Sequence, residues 1–402
     1  MKILKYLKTK GVKRACEVIW QYKLDIVIQK VFVLIFKSKS LKDIIIIESH
    51  NDFDSNGGAF YDYLINKKYN NKYKIVWLVR NRKPENLPKN VECYEIYKPS
   101  IKKDYLLINA KYILTCQDAI GTLRIGQVAY YLTHGAMALK NTKGNISVPD
   151  SMTYILAPSE YLKQIQADLL SIAYPNNRQI ILGYPCHDVL YNLKLGDLNK
   201  ITNRVYKKVI LWMPTFRRNK TGDRNDSVIE FFMGVPIIET IDQYHKLNSI
   251  LNDLNMLLII KIHPMQDLKQ IKIHSDTNII VLDGNAVKKL NIDNYRLMVD
   301  VDGMISDYSS SGTDFLHTQK PIAYTLDDIK QYKLGFIVEN PLEFMPGMKI
   351  YGFDDLIRFV MSIYNNEDEY YTERKEVLNK MFCYHDGNSC KRLVEHMNLQ
   401  KD

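Results

Sequence analysis

The stretch Ile305-Ser306-Asp307-Tyr308-Ser309-Ser310-Ser311-Gly312-Thr313-Asp314-Phe315 decides how the chain is read. It predicts a short buried strand ending in Asp307, a hydroxyl-rich turn, and a helix that starts near Ser310. A helix N-terminus has unpaired N–H groups and a partial positive charge, so such a turn is a natural phosphate cradle. The serines add hydroxyl donors and a good N-cap. An ordinary capped helix carries the same local pattern, so the meaning of the turn depends on what surrounds it.

Working outward, short apolar runs recur on both sides. Ile44 to Ile47, Lys74 to Val79, Ile113 to Thr115, Tyr130 to Leu132, Met152 to Ala157 and Gln179 to Gly183 read as one series of strands. Val209 to Met213, Leu257 to Ile262, Ile279 to Leu282, Met304 to Ser306 and Ile322 to Tyr324 read as a second. A helix is expected near 239–254, and helical pattern resumes from Phe353. Apolar strands alternating with helices predict α/β domains built on mostly parallel sheets with both faces covered. At 402 residues the chain is too long for one ordinary core. The polar stretch 190–207 separates the two series, giving domains over 41–200 and 201–402, the latter with C-terminal helices.

Residues 1–40 differ from the rest. Ten lysines and arginines, from Lys2 to Lys39, face only Glu17 and Asp25. Ile3, Leu4, Leu7, Ala15 and Val18 fall on one side of a helix. Leu24 to Phe36 is strongly apolar but shorter than the ~20 residues a spanning helix needs. A basic amphipathic segment lying on an anionic membrane surface fits this pattern, and so does a helix pair packed on the first domain. The net charge of +10 calls for anionic partners: nucleic acid, acidic lipid or phosphorylated substrates. The excess is concentrated in the first 40 residues, and no RNA-binding motif appears, so nucleic acid is not an expected partner. Six scattered cysteines with no C-x-x-C pair and no secretory signal point to a reduced, cytoplasmic compartment.

The residues suited to chemistry follow directly on predicted strand ends, where ligands collect in open α/β sheets. His134, in Thr133-His134-Gly135, is suited to accept a proton from a hydroxyl near neutral pH. His263 is held extended by Pro264, and its protonated ring suits a phosphate or leaving group. Arg217, in Pro214-Thr215-Phe216-Arg217, suits bidentate phosphate contact. Each of these also has a plain structural reading. There is no P-loop, no G-x-G-x-x-G and no nucleophile elbow. Asp300-x-Asp302 precedes a strand and reads as structural, so no metal site is expected.

In order along the chain, Thr133-His134-Gly135 with Leu139-Lys140, Gly183-Tyr184-Pro185 with Asp188, Pro214-Thr215-Phe216-Arg217, His263-Pro264, Ser306-Asp307-Tyr308-Ser309-Ser310 with Asp314-Phe315, and Lys320-Pro321-Ile322 resemble a known family. That family is the CDP-glycerol glycerophosphotransferases, which include teichoic-acid primases and polymerases. The resemblance covers about residues 44 to 390. It implies a GT-B-like fold, two Rossmann-like domains with a central cleft. It also implies transfer of glycerol phosphate or ribitol phosphate from a CDP-alditol to a hydroxyl of a lipid-linked wall teichoic acid or capsule precursor, with release of CMP. The setting implied is the cytoplasmic face of the cell membrane, without a cofactor beyond the CDP-glycerol or CDP-ribitol substrate. On this analogy His134 is the base, with His263 as its catalytic companion. Thr215, Arg217, Pro264, Asp307, Ser309, Ser310, Ser311 and Asp314 face the donor, and Gly135 and Lys140 the acceptor. Two other readings stay open at this level: a GT-B glycosyltransferase using a nucleotide sugar, and a non-catalytic protein that binds anionic lipid or nucleic acid.

Overall fold

The computed structural model describes residues 11–80, 83–133, 139–192, 196–218, 226–227 and 230–401, with the side chains of 13–23 left aside. Seven strands form the first sheet: β1 (Lys42–Glu48), β2 (Lys74–Val79), β3 (Val91–Glu95), β4 (Ala110–Thr115), β5 (Val128–Tyr131), β6 (Tyr154–Leu156) and β7 (Gln179–Ile180). Their order is β3-β2-β1-β4-β5-β6-β7, and every pairing is parallel. The second sheet takes β8 (Lys208–Trp212), β9 (Met256–Lys261), β10 (Ile279–Leu282), β11 (Gly303–Ser306), β12 (Ile322–Thr325) and β13 (Met348–Ile350) in the order β10-β9-β8-β11-β12-β13, again all parallel. Both sheets are doubly wound, and the order reverses between β1 and β4 in one and between β8 and β11 in the other. Crevices open at such switch points, beyond the carboxyl ends of the strands.

The strand runs are apolar because parallel strands are buried on both faces. Ile45, Ile46 and Ile47 are fully buried, as are Leu257 to Ile260. The connecting helices are α2 (Ser55–Asn66), α3 (Ile101–Asn109), α4 (Glu160–Leu170), α5 (Ile241–Asp253), α6 (Gly284–Leu290), α7 (Asn294–Asp300), α8 (Ser310–Phe315), α9 (Phe353–Asn365), α10 (Tyr371–Met381) and α11 (Ser389–His396). β3 and β13, both sheet edges, are absent from the sequence reading; they are short and only partly buried.

One helix, α1 (Val12–Phe36), precedes the first sheet. Its Asp25, Gln29, Phe32 and Phe36 form one stripe against α3. Lys103 donates to Asp25 at 2.7 Å, Gln29 donates to Asp104 at 2.8 Å, and both phenylalanine rings meet Tyr105 edge-on. Leu24, Val27, Val31 and Leu34 form another stripe, and all four are exposed. Among the described residues no helix is long and apolar enough to cross a membrane.

The C-terminal helices tie the halves together. α11 returns to the first sheet, where Tyr130 Oη meets His396 Nδ1 at 2.9 Å and Tyr112 Oη donates to the Met397 carbonyl. Its N-terminus is capped from a distance, because Asp188 accepts from the Ser389 and Cys390 N–H groups at 2.8 and 2.7 Å. Gly183 permits that approach: it sits at φ 75°, and a Cβ there would lie 2.5 Å from Ser389 Oγ.

Candidate active site

β8 and β11 end side by side, and their loops are locked by one buried ionic cluster. Asp307, just past β11, accepts from the Thr215 N–H at 2.8 Å, from the Thr215 hydroxyl, and from Arg217 Nη1 at 2.8 Å. Arg217 turns its other edge to Asp328, with Nε and Nη2 donating at 2.6 and 3.1 Å. Tyr308 donates its hydroxyl to the same carboxylate at 2.8 Å. The rings of Tyr308, Phe231 and Tyr332 surround the guanidinium at 5.3, 5.4 and 5.8 Å. Burial alone would lower the Arg217 pKa, but the two carboxylates outweigh it and raise it above that of free arginine. The bidentate fork that the sequence suggested for a phosphate is thus directed at Asp328, because a buried guanidinium needs buried counter-charges.

Beside this cluster lies a cavity of about 360 Å³, lined by Pro214, Thr215 and Arg217 from the β8 end and by Ile262 and His263 from the β9 end. Phe231, Phe232, Lys269 and Lys272 close its outer wall. Its size suits a small ligand. His263 is half-buried, with its ring 4.9 Å from Phe216. Its Nδ1 accepts the Met265 N–H at 3.1 Å, which puts the proton of the neutral ring on Nε2. Pro264 is exposed.

The serine turn follows the β11 end. Ser309 is the N-cap of α8, accepting from the Ser311 N–H at 3.3 Å, and the Ser311 hydroxyl donates to Ser309 Oγ at 2.9 Å. Ser309 and Ser310 are half-buried and Ser311 is buried. Asp314 points to the domain interface instead, where its carboxylate meets His187 Nε2 at 2.7 Å and the Tyr295 hydroxyl at 3.1 Å.

In the first domain, His134 and Gly135 lie outside the described residues, but both flanks are visible. Thr133, immediately before His134, adopts φ 62°, a region that a β-branched residue enters only under constraint. Buried Asn56 supplies the constraint: its amide donates to the Leu132 and Thr133 carbonyls at 2.9 and 3.2 Å, and its oxygen accepts the Cys186 N–H at 3.1 Å. On the other flank, Lys140 bridges antiparallel to Phe336 of the second domain. At the β1 end, Glu48 accepts the Cys116 and Gln117 N–H groups at 3.0 Å and pairs with Arg80. Burial raises the Glu48 pKa against the opposing pull of Arg80. Burial likewise lowers that of His50, two residues on.

Loops from the carboxyl ends of both sheets therefore meet. Beyond Lys140–Phe336, the His187–Asp314 pair and an ion pair between Arg296 and Asp62 at 3.0 Å cross from one domain to the other. The sequence reading missed Asn56, the Asp188 cap and Lys261. The last was hidden as the closing residue of an apolar strand; a lone lysine at the carboxyl end of such a run was its only signal. Among the described residues no group of three His, Cys, Asp or Glu is gathered as a metal site requires.

Over residues 30–399 the chain matches the model of the family described as CDP-glycerol:poly(glycerophosphate) glycerophosphotransferase. It belongs to that family. Among relatives, it is 26% identical over 372 residues to the teichoic acid glycerol-phosphate primase of Bacillus subtilis strain 168, covering 85% of this chain and 88% of that protein. It is 25% identical to the teichoic acid ribitol-phosphate polymerase TarK of Staphylococcus aureus strain NCTC 8325 / PS 47, covering 87% of this chain and 67% of that protein. The structure of the wall teichoic acid polymerase TagF superposes with a TM-score of 0.72 at 18% identity, covering 96% of this chain and 97% of that one. The glycerophosphotransferase family and the two doubly wound domains thus agree on a GT-B-like α/β enzyme.

Proposed function

We propose that this glycerophosphotransferase-family chain moves glycerol phosphate or ribitol phosphate from a CDP-alditol to a hydroxyl of a lipid-linked teichoic acid or capsule precursor. The observation that carries the reading is the family match across nearly the whole chain, joined to a cavity at the carboxyl ends of β8 and β9, beside the Arg217 cluster. In this reading residues 41–200 receive the acceptor, with Gly135 and Lys140 beside it. Residues 201–402 hold the donor.

The acceptor oxygen forms a bond to the β-phosphorus as the bond from that phosphorus to the CMP oxygen breaks. His134 takes the hydroxyl proton, and CMP leaves with the electron pair. The Nε2–H of His263, the hydroxyls of Ser309 and Ser310, and the N-terminus of α8 stabilise charge on the diphosphate, while Thr215 lines the cavity with its hydroxyl held by Asp307; positioning and electrostatics supply most of the rate in such transfers. Pro264 holds His263 extended, while Arg217, Asp307, Ser311 and Asp314 set the loops that carry these groups. The exposed apolar stripe of α1, on a segment rich in lysine, supports docking on an anionic membrane surface where a lipid-linked acceptor resides.

The test is CMP release from CDP-glycerol and CDP-ribitol with a lipid-linked acceptor extract, with nucleotide sugars in parallel. CMP from a CDP-alditol, abolished by His134→Ala at unchanged Tm, is the expected outcome. Turnover only with a nucleotide sugar would replace alditol-phosphate transfer by sugar transfer.

A further inference from the structure

Lys261 closes β9 and is 5% exposed. Along the strand Leu257, Ile259 and Lys261 share one face, because side chains alternate. Leu257 and Ile259 pack there with Leu282, Ile292 and Tyr295, in the layer that separates the second sheet from the first domain. The ammonium group makes no hydrogen bond and no ion pair with any described residue. Lys103, equally buried, shows what a structural amine looks like in this protein. It reaches Asp25 at 2.7 Å and the Ile96 and Lys98 carbonyls at 3.1 and 2.7 Å.

The surroundings of Lys261 supply one charge and, among the described residues, no contact as close as those of Lys103. Asp293 is the charge that acts on it, and Oδ1 of this carboxylate caps α7, accepting the Tyr295 and Arg296 N–H groups at 2.8 and 3.0 Å. That same helix end faces the first domain, since Asp54, at the start of α2, acts on Asp293, and Arg296 pairs with Asp62. Lys261 therefore sits where the carboxyl end of β9 meets the first domain, two residues before His263. Burial pulls its pKa down to about 8, with Asp293 pulling the other way. Holding an unpaired ammonium there costs stability, and a methionine of similar length would fill the same space without that cost.

We propose that Lys261 is a substrate-binding cation of the interdomain crevice, its amine, without a hydrogen bond to any described residue, taking a phosphoryl oxygen of the substrates. The inference rests on the phosphoryl-transfer reading above and names one more group for it. Two sources share this chemistry, the donor diphosphate and a phosphate on the acceptor.

The test uses the full chain, wild type against Lys261→Met, with three readouts: Tm without ligand, CMP release, and the Tm shift produced by CDP-glycerol or by a short glycerol-phosphate oligomer. Lys261→Met is expected to keep or raise the ligand-free Tm while transfer falls by roughly 100-fold, as when one preorganised charge donor is removed. Loss of the CDP-glycerol shift assigns the lysine to the donor; loss of the oligomer shift alone assigns it to the acceptor. Wild-type turnover in the variant, or a lower ligand-free Tm, overturns the proposal, the latter because it means the amine has a protein partner. If wild type releases no CMP from either CDP-alditol, the functional reading fails first, and pyrophosphate then serves as the anion probe. A pyrophosphate shift that Lys261→Met abolishes still supports the site, and an equal shift in both proteins overturns it.

Discussion

Removing Arg217 tests the ionic cluster directly. Arg217→Met takes one buried cation from between two buried carboxylates; the Asp307 and Asp328 side chains are both 0% exposed. Breaking a buried pair by deleting one partner typically costs about 3–5 kcal/mol, because a charge is left uncompensated. Here each carboxylate keeps other donors, Thr215 for Asp307 and Tyr308 for Asp328, so the lower part of that range applies. For a domain near 200 residues, about 3 kcal/mol corresponds to a drop in Tm of roughly 6–12 °C. Urea titration followed by tryptophan fluorescence can localise the loss, since Trp212 is buried on β8 of the affected domain and Trp77 on β2 of the other. Adding Asp328→Asn removes one stranded charge and should recover at least about 1 kcal/mol, a coupling that independent sites would not give. A single-variant loss under about 1 kcal/mol, or a double variant no better than the single, would refute the account of the cluster.

Gly183→Ala forces a Cβ into a left-handed residue and against Ser389, so α11 should loosen at a cost of about 1–3 kcal/mol, visible as faster amide exchange in residues 389–396. Burial raises the Asp327 carboxyl to about 6, and the Ile237 N–H bond only partly opposes it. The folded state therefore holds this proton more tightly than the unfolded chain, and stability falls as pH rises through roughly 4 to 6. Asp327→Asn should raise Tm at pH 7 and give no gain below about pH 4; an equal gain at both would contradict the assignment. Deleting α1 would strand Lys103, so the membrane idea is better tested by Val27→Ser, Val31→Ser and Leu34→Ser together. That variant should keep its Tm and lose sedimentation with anionic liposomes.

The strands most legible in the sequence were those buried on both faces, because Ile44 to Ile47 or Leu257 to Ile262 leave little room for another reading. The β11–α8 turn was legible for a different reason: Asp307 and three serines mark a strand end and a cap within a few residues. What could not be read is pairing at a distance. Arg217 meets Asp307 90 residues away and Asp328 111 residues away, and nothing local distinguishes such an arginine from one waiting for phosphate. Asp314 and His187 come from different domains, so neither segment alone shows that they form a buried pair. The edge strands β3 and β13 lack the apolar density that reveals central strands.

The return of α11 to the first sheet has a consequence for how the protein is made. The first sheet ends at Ile180, yet the helix that covers part of it, and the residues Asp188 caps, lie about 200 residues further on. At the usual 5–20 residues per second, roughly 10–40 s of synthesis separate the two. During that interval the Tyr112 and Tyr130 hydroxyls lack the partners that Met397 and His396 later supply, and the first domain emerges from the ribosome unfinished. Its maturation is therefore timed by the translation of the second.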